Sequence, residues 1–178
     1  MKELNNRIYD KDVLEMITVA AELCVRLENA VQEETLSFCG DMLKILPLLY
    51  VKALMVNETG VAEMFGEAEK LVTEEDYDYV RSSVAAAMGA YDDYLDVFVE
   101  DMKYSDRPVR KTVSEDLADI YQDLRNLAGI YKQGFPEAME AALSETMEGF
   151  AHYWGQRLVN VVRAIHDVKF SQQEAQKG

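Results

Sequence analysis

Met139, Leu143, Met147, Phe150, Trp154, Leu158, Val161, Ile165 and Val168 follow one another at steps of three and four residues. A helix brings such a series onto one face, because each turn takes about 3.6 residues. The run predicts a long amphipathic helix from Pro136, whose missing N–H is harmless in a first turn, to about Lys169. A stripe of that length needs other helices to cover it.

Four more segments carry the same periodicity. Val13, Ile17, Ala20, Cys24, Leu27 and Val31 share a face of a helix from about Asp10 to Val31. Leu36, Cys39, Leu43, Leu46, Tyr50 and Ala53 do so in a second segment. A kink or break is expected there near Ile45 and Leu46, because Pro47 removes a backbone donor. Periodicity fades after Val56, where Gly60 and Gly66 punctuate a mobile loop over about 56–72. Thr73 and Asp76 form a capping-box pattern that opens a third helix. Its stripe, Val80, Val84, Ala87, Tyr91, Leu95, Phe98 and Met102, carries it to about Tyr104. Beyond Pro108, Thr112 and Glu115 suit the start of a fourth helix, with Ser114 a rival N-cap. That helix buries Leu117, Tyr121, Leu124, Ala128 and Tyr131 and stops at Gly134. The expected fold is all-α, an antiparallel bundle of about five long helices. It reads as a single domain over residues 1–178, with a core over about 9–169 and a frayed tail over 170–178.

Charge narrows the partners. With 33 acidic against 18 basic residues the net charge is −15. Such a surface disfavours nucleic acid and anionic membranes, and leaves a basic protein or divalent cations compatible. Cys24 and Cys39 fall on apolar stripes and read as core thiols. The opening MKELNNRIYDKD lacks the apolar stretch of a secretory signal, and the apolar run Ile45–Val51 is too short to span a bilayer. A cytoplasmic location is expected by elimination.

Two D-x-x-D patterns, Asp93/Asp96 and Asp116/Asp119, are similar to the carboxylate sites of all-helical nucleoside triphosphate pyrophosphohydrolases. There, oxygen ligands hold Mg²⁺ and activate water. Helical geometry turns Asp93, Asp96 and Asp119 roughly 140° or more from the apolar stripes, toward solvent. Asp92, Asp101, Asp116 and Asp123 lie nearer the core boundary. They are the set that could line a groove between the third and fourth helices and hold Mg²⁺ or Mn²⁺. Outside that reading no cofactor is expected, and a solvated acidic face is the plainer expectation.

Other constellations are weaker. His166-Asp167 spells the dipeptide of metal-dependent phosphohydrolases, yet His152 lies roughly 21 Å away along the same helix, too far to share a metal. Glu148 and His152 lie opposite the main stripe, without the E-x-x-H spacing of di-iron proteins. Small Gly155 on that side is expected to admit a neighbouring helix or subunit. His152, Tyr153, Gly155 and Val159 are therefore the expected interaction surface. Arg107, Arg110 and Lys111, with Lys103, precede the fourth helix, where a phosphate or carboxylate could dock; neutralising nearby acids is the simpler role. No G-x-S-x-G or glycine-rich phosphate loop is present, and neither cysteine adjoins a histidine.

LKILPLLYVKA (Leu43 to Ala53), DDYLDVFVEDM (Asp92 to Met102), SEDLADIYQDL (Ser114 to Leu124) and YWGQRLVNVVRAIH (Tyr153 to His166) resemble an uncharacterised bacterial family, domain of unknown function 5063. The resemblance implies a compact helical domain from a bacterial cytoplasm and brings no activity or catalytic residues. The reading that results is a non-enzymatic interaction module. Its protein partner, or a second copy, would engage the groove between the third, fourth and fifth helices or the face around His152 and Gly155. The alternative is a metal-dependent hydrolase of a phosphorylated small molecule, with Asp92, Asp101, Asp116 and Asp123 as ligands and Arg107 or Arg110 on phosphate. An enzyme requires carboxylates converging with shifted pKa values, and a module requires a contiguous exposed apolar patch.

Overall fold

The computed structural model describes residues 7–57, 65–96 and 107–178. Within them lie α1 (Lys11–Glu28), α2 (Thr35–Met55), α3 (Glu74–Met88), β1 (Asp93–Asp96), β2 (Val109–Thr112), α4 (Val113–Gln133), α5 (Pro136–Gly149) and α6 (Gly155–Ala175). A π-helical turn, Phe150–Trp154, joins α5 to α6 without a break, so the described residues make five helical rods and one small ribbon. The chain is predominantly all-α, as its periodicity predicts.

Helix α1 packs on α2 and α4, α2 on α6, and α4 on α6, which closes a ring of four. Arg26 reaches Asp41 and Lys52 reaches Glu15, so α1 and α2 run antiparallel. Lys169 Nζ donates to the Leu36 carbonyl while the Tyr50 ring meets Phe150 edge-on, which sets α2 antiparallel to the last rod. Tyr121 and Arg125 reach Glu28, and the Tyr131 hydroxyl donates to the Ile8 carbonyl, which orients α4 against α1. Helix α3 lies outside the ring against α4. Helix α4 is thus enclosed by α1, α3 and the last rod, and its buried residues extend most of the way around it.

Local chemistry explains the boundaries. Thr73 Oγ1 accepts from the Asp76 N–H and Asp76 Oδ2 accepts from the Thr73 N–H, the reciprocal pair expected at the start of α3. Thr112 is the N-cap of α4, its Oγ1 accepting from the Glu115 N–H at 3.2 Å. Gly134 ends α4 in the left-handed conformation, φ +77°. Helix α2 continues through Pro47 without the break that was one of the expectations there. Pro47 lies on the exposed side, while Ile45, Leu46 and Leu49 are packed inward and hold the helix across the missing hydrogen bond.

The third helix is shorter than its stripe predicts. It ends at Met88, where Gly89 takes φ +55°, a conformation other residues rarely adopt. The chain then forms β1, which pairs antiparallel with β2 from Asp93↔Thr112 to Asp96↔Val109. The aromatic Tyr94 in β1 and the β-branched Val109 and Thr112 in β2 favour that pleated pairing over helix. Leu95, placed on the buried stripe by helical counting, is 60% exposed. Phe98 and Met102 lie outside the described residues.

The π turn has its own cause in the sequence. From Met139 to Ile165 the apolar stripe takes seven steps over 26 residues. In an unbroken α-helix, at about 100° per residue, it would overshoot seven turns by roughly 80°. One extra residue accommodated in a π turn offsets about that much, and Met139, Met147, Trp154, Leu158 and Ile165 all stay buried. The Gly155 N–H donates to the Phe150 carbonyl, and a Cβ at Gly155 would lie 2.4 Å from that oxygen. Gly155 therefore admits the carbonyl and ring of its own π turn, not a neighbouring helix or subunit as expected. The buried Trp154 closes the turn, its indole N–H donating to the Thr146 carbonyl at 2.8 Å. Gly155→Ala is expected to lower stability by about 2 kcal/mol, within the usual cost of overpacking. For a chain of this size that is roughly 4–8 °C in melting temperature. Thermal unfolding beside the exposed Gln156→Ala control measures it, and equal midpoints would show the turn does not need glycine.

Candidate functional site

Asp116, Asp119 and Asp123 stand at i, i+3 and i+7 on α4, one line of carboxylates facing the elements that enclose it. Asp119 is the hub. Its Oδ1 accepts from the Tyr77 hydroxyl of α3 at 2.9 Å, and its Oδ2 accepts from the Tyr153 hydroxyl and from Arg157 Nε, each at 3.1 Å. The Arg157 guanidinium also lies 3.6 Å over the Tyr153 ring and 4.0 Å from Asp116 Oδ1. Asp116 accepts from the Tyr94 hydroxyl of β1. Burial, reinforced by the carboxylate partner, pushes the Tyr77 and Tyr94 hydroxyls well above their ordinary range, so both remain donors. Burial also raises Asp116, against the opposing pull of Tyr94, Lys111 and Arg157.

Asp123 differs from its neighbours. No described residue gives it a hydrogen bond or ion pair, and burial pushes its carboxyl up to about 6. It borders a cavity of about 20 Å³, room for one water, with Asn126, Glu145 and Thr146. The outer wall is the irregular segment before α3. There the Leu71 and Val72 N–H groups donate to Asn126 Oδ1 at 2.7 and 2.8 Å, and the Ala68 N–H donates to Glu145 Oε2 at 3.1 Å. Lys70 pairs with Glu145. The described part of the loop expected over about 56–72 is therefore tied to α4 and α5.

The sequence-derived residues fall in several places. Asp92 grips the first turn of α4: its carboxylate accepts from the Ser114 N–H at 2.8 Å and the Ser114 hydroxyl at 2.6 Å, and its carbonyl accepts from the Val113 N–H. Asp101 lies outside the described residues. Asp116 and Asp123 share a line with Asp119 between them. Among the described residues no group of three or more His, Cys, Asp or Glu is placed to hold a metal ion. Arg110 pairs with Asp93, and Lys111 Nζ lies 3.1 Å from Asp96, across the ribbon; Arg107 is exposed just before it.

Two carboxylates overturn the expectation from helical angles. Asp96, expected in solvent, is 5% exposed, because it sits on a strand against Lys111 and Asn160. Asp119 is enclosed by three donors because α4 is covered on more sides than its main stripe requires. Tyr77 and Arg157 were not among the expected site residues. The available signal was the breadth of apolar residues around α4, from Leu117, Ala118 and Ile120 to Leu127, which marks a central helix.

On the surface, His152, Tyr153 and Val159 are exposed while Gly155 is buried. A second apolar face lies on α2. Leu48, Val51, Leu54 and Met55 are between 46 and 62% exposed and fall within about 120° of one another on the side opposite the core residues Met42, Leu46, Leu49 and Ala53. Cys24 and Cys39 are free thiols in the core, where burial raises them to about 12 and about 11. No described helix is long and apolar enough to cross a membrane.

Residues 7–171 match the family model described as a domain of unknown function, DUF5063. The chain is also similar to the crystal structure of protein BF1032 from Bacteroides fragilis, a structural genomics target. The two share 42% identity over 92% of this chain and 95% of that one, with a TM-score of 0.80. No curated protein matches.

Asp123 makes stability depend on pH. Its folded carboxyl titrates near 6 against an ordinary value of 3.8, so its favourable contribution is present at low pH and lost as pH rises through about 6. Asp123→Asn is expected to remove that dependence and to stabilise the fold at pH 7.5 by about 1–2 kcal/mol, allowing for partial exposure. Urea unfolding between about pH 5 and 8 tests this; parallel curves for the two proteins would refute it.

Proposed function

This chain belongs to the DUF5063 family, which supplies a fold and no assigned chemistry, and on that premise we propose a non-enzymatic protein-interaction module of the cytoplasm. The observation that carries the reading is the outward face of α2. Exposed apolar residues scattered singly mean little, but Leu48, Val51, Leu54 and Met55 recur at the spacing of a helix–helix seam. From Pro47 to Met55 α2 is thereby apolar on both faces, the pattern of a segment covered on both. Most carboxylates that would serve a hydrolase are committed inside the fold. Asp92 holds a helix start, Asp116 and Asp119 are bound by tyrosines and Arg157, and Asp96 by Lys111.

One observation favours the second reading, a metal-dependent hydrolase: Asp123 combines a raised pKa with a water-sized cavity. Thermal unfolding with Mg²⁺ or Mn²⁺, in about 0.3 M salt to screen the acidic surface, separates the two. Saturation at one hundred times the dissociation constant would stabilise the fold by roughly 2.7 kcal/mol. The module predicts no shift; a shift abolished by Asp116→Asn/Asp123→Asn would replace it with the hydrolase. The interaction itself is tested in cells with a photoreactive side chain in place of Leu54. Discrete adducts are expected there and none from Glu22 on the outer side of α1. Equal labelling at both positions, or at neither, would count against the module.

A further inference from the structure

We propose that the outward face of α2 docks a second copy of this chain, two α2 helices packing antiparallel about a twofold axis near Val51; this names a partner for the interaction reading above and rests on it. The argument is electrostatic as much as apolar. Two molecules of net charge −15 repel, and they do so least when they meet on a face that presents few acids. From Met42 to Asn57 the chain contains no acidic residue, and from Gly149 to His166 it again contains none. The fold makes these two stretches neighbours, because α2 packs on α6 and Tyr50 meets Phe150.

The rims of the face agree. Toward α1, Glu15 is neutralised by Lys52 at 2.5 Å and Lys11 at 3.7 Å, and Asp41, a heptad before Leu48 on α2, is paired with Arg26 at 2.9 Å. Toward the last rod the exposed side chains include His152, Val159 and His166. Val159 stands about 160° around α6 from Arg157, hence on the side away from α4. Pro47, Leu48, Val51, Leu54 and Met55 advance along α2 by one, three, three and one residues, a pattern symmetric about Val51, so the arc is self-complementary when two helices cross antiparallel. An isologous contact of this kind closes on itself, and the acidic remainder of the surface opposes further growth. The arc covers only a few hundred Å² per copy, which sets the dimer at the weak end of specific interfaces.

Sedimentation velocity on the purified full chain decides the matter, from about 1 µM to about 1 mM and at about 0.05 and 0.5 M NaCl. A reversible monomer–dimer equilibrium is expected, at least about threefold tighter at the higher salt, because salt screens the repulsion while leaving apolar contact intact. A basic partner on the same face would instead weaken with salt. Leu54→Glu is expected to raise the dissociation constant by about tenfold or more, a loss of about 1.4 kcal/mol. Its melting temperature should match the parent's, since the side chain is mostly exposed. A monomer at every concentration and salt overturns the second copy, as does a dimer that survives Leu54→Glu but is lost in Val159→Glu. If that monomer still forms an in-cell adduct of another mass through position 54, the interaction reading stands without self-association. A monomer with no adduct sinks both.

Discussion

A helix enclosed on three sides must leave its polar side chains somewhere, and Arg157 is what makes that possible for α4. The helix brings Asp116 and Asp119 into places closed by α3, the ribbon and the last rod. Burying either carboxylate without a donor would cost several kcal/mol. One guanidinium lies 3.1 Å from Asp119 and 4.0 Å from Asp116, and two tyrosine hydroxyls complete the shell of Asp119. Because those donors come from α3, the π turn and α6, the network also fixes how three elements sit on a fourth. Its role is positional. An unsatisfied arrangement would favour any packing that let the acids reach water.

Much of the fold was legible because periodicity and capping are local. Thr73 with Asp76, Thr112, Gly134 and Pro136 mark ends by chemistry confined to a few residues, and the structure places helix ends there. What was not legible depended on other parts of the chain. The residues after Gly89 keep a helix-like apolar spacing, yet pairing with Val109–Thr112 makes the first of them a strand. That choice cannot be read from either segment alone. The site was harder still. Counting angles from one apolar stripe assumes one buried side, and α4 has several, so Asp119 was assigned to solvent when Tyr77, Tyr153 and Arg157 surround it. The π turn was the reverse case: the signal was local, a stripe whose mean step exceeds the helical period, and it needed arithmetic across the whole rod to notice.

The two faces of α2 show how composition and position divide labour. Its inner residues, Phe38, Met42, Leu46 and Leu49, belong to the common core, and its outer ones do not touch it. In a chain of net charge −15 the acidic remainder of the surface favours hydration. Apolar residues facing outward over several turns therefore ask for an explanation in contact, not in folding. The same consideration weakens any reading in which α6 alone carries recognition, since its exposed apolar residues are fewer and farther apart.

The segment before α3 has a bearing on the order in which this protein assembles. It supplies no regular structure of its own, and its N–H groups are satisfied by Asn126 and Glu145, side chains more than fifty positions away in sequence. Those acceptors exist in the right places only after α4 and α5 have come together. Closing so long a loop is entropically costly until that framework stands. The segment can therefore satisfy these groups only against an assembled α4 and α5, and in doing so it roofs the cavity at Asp123.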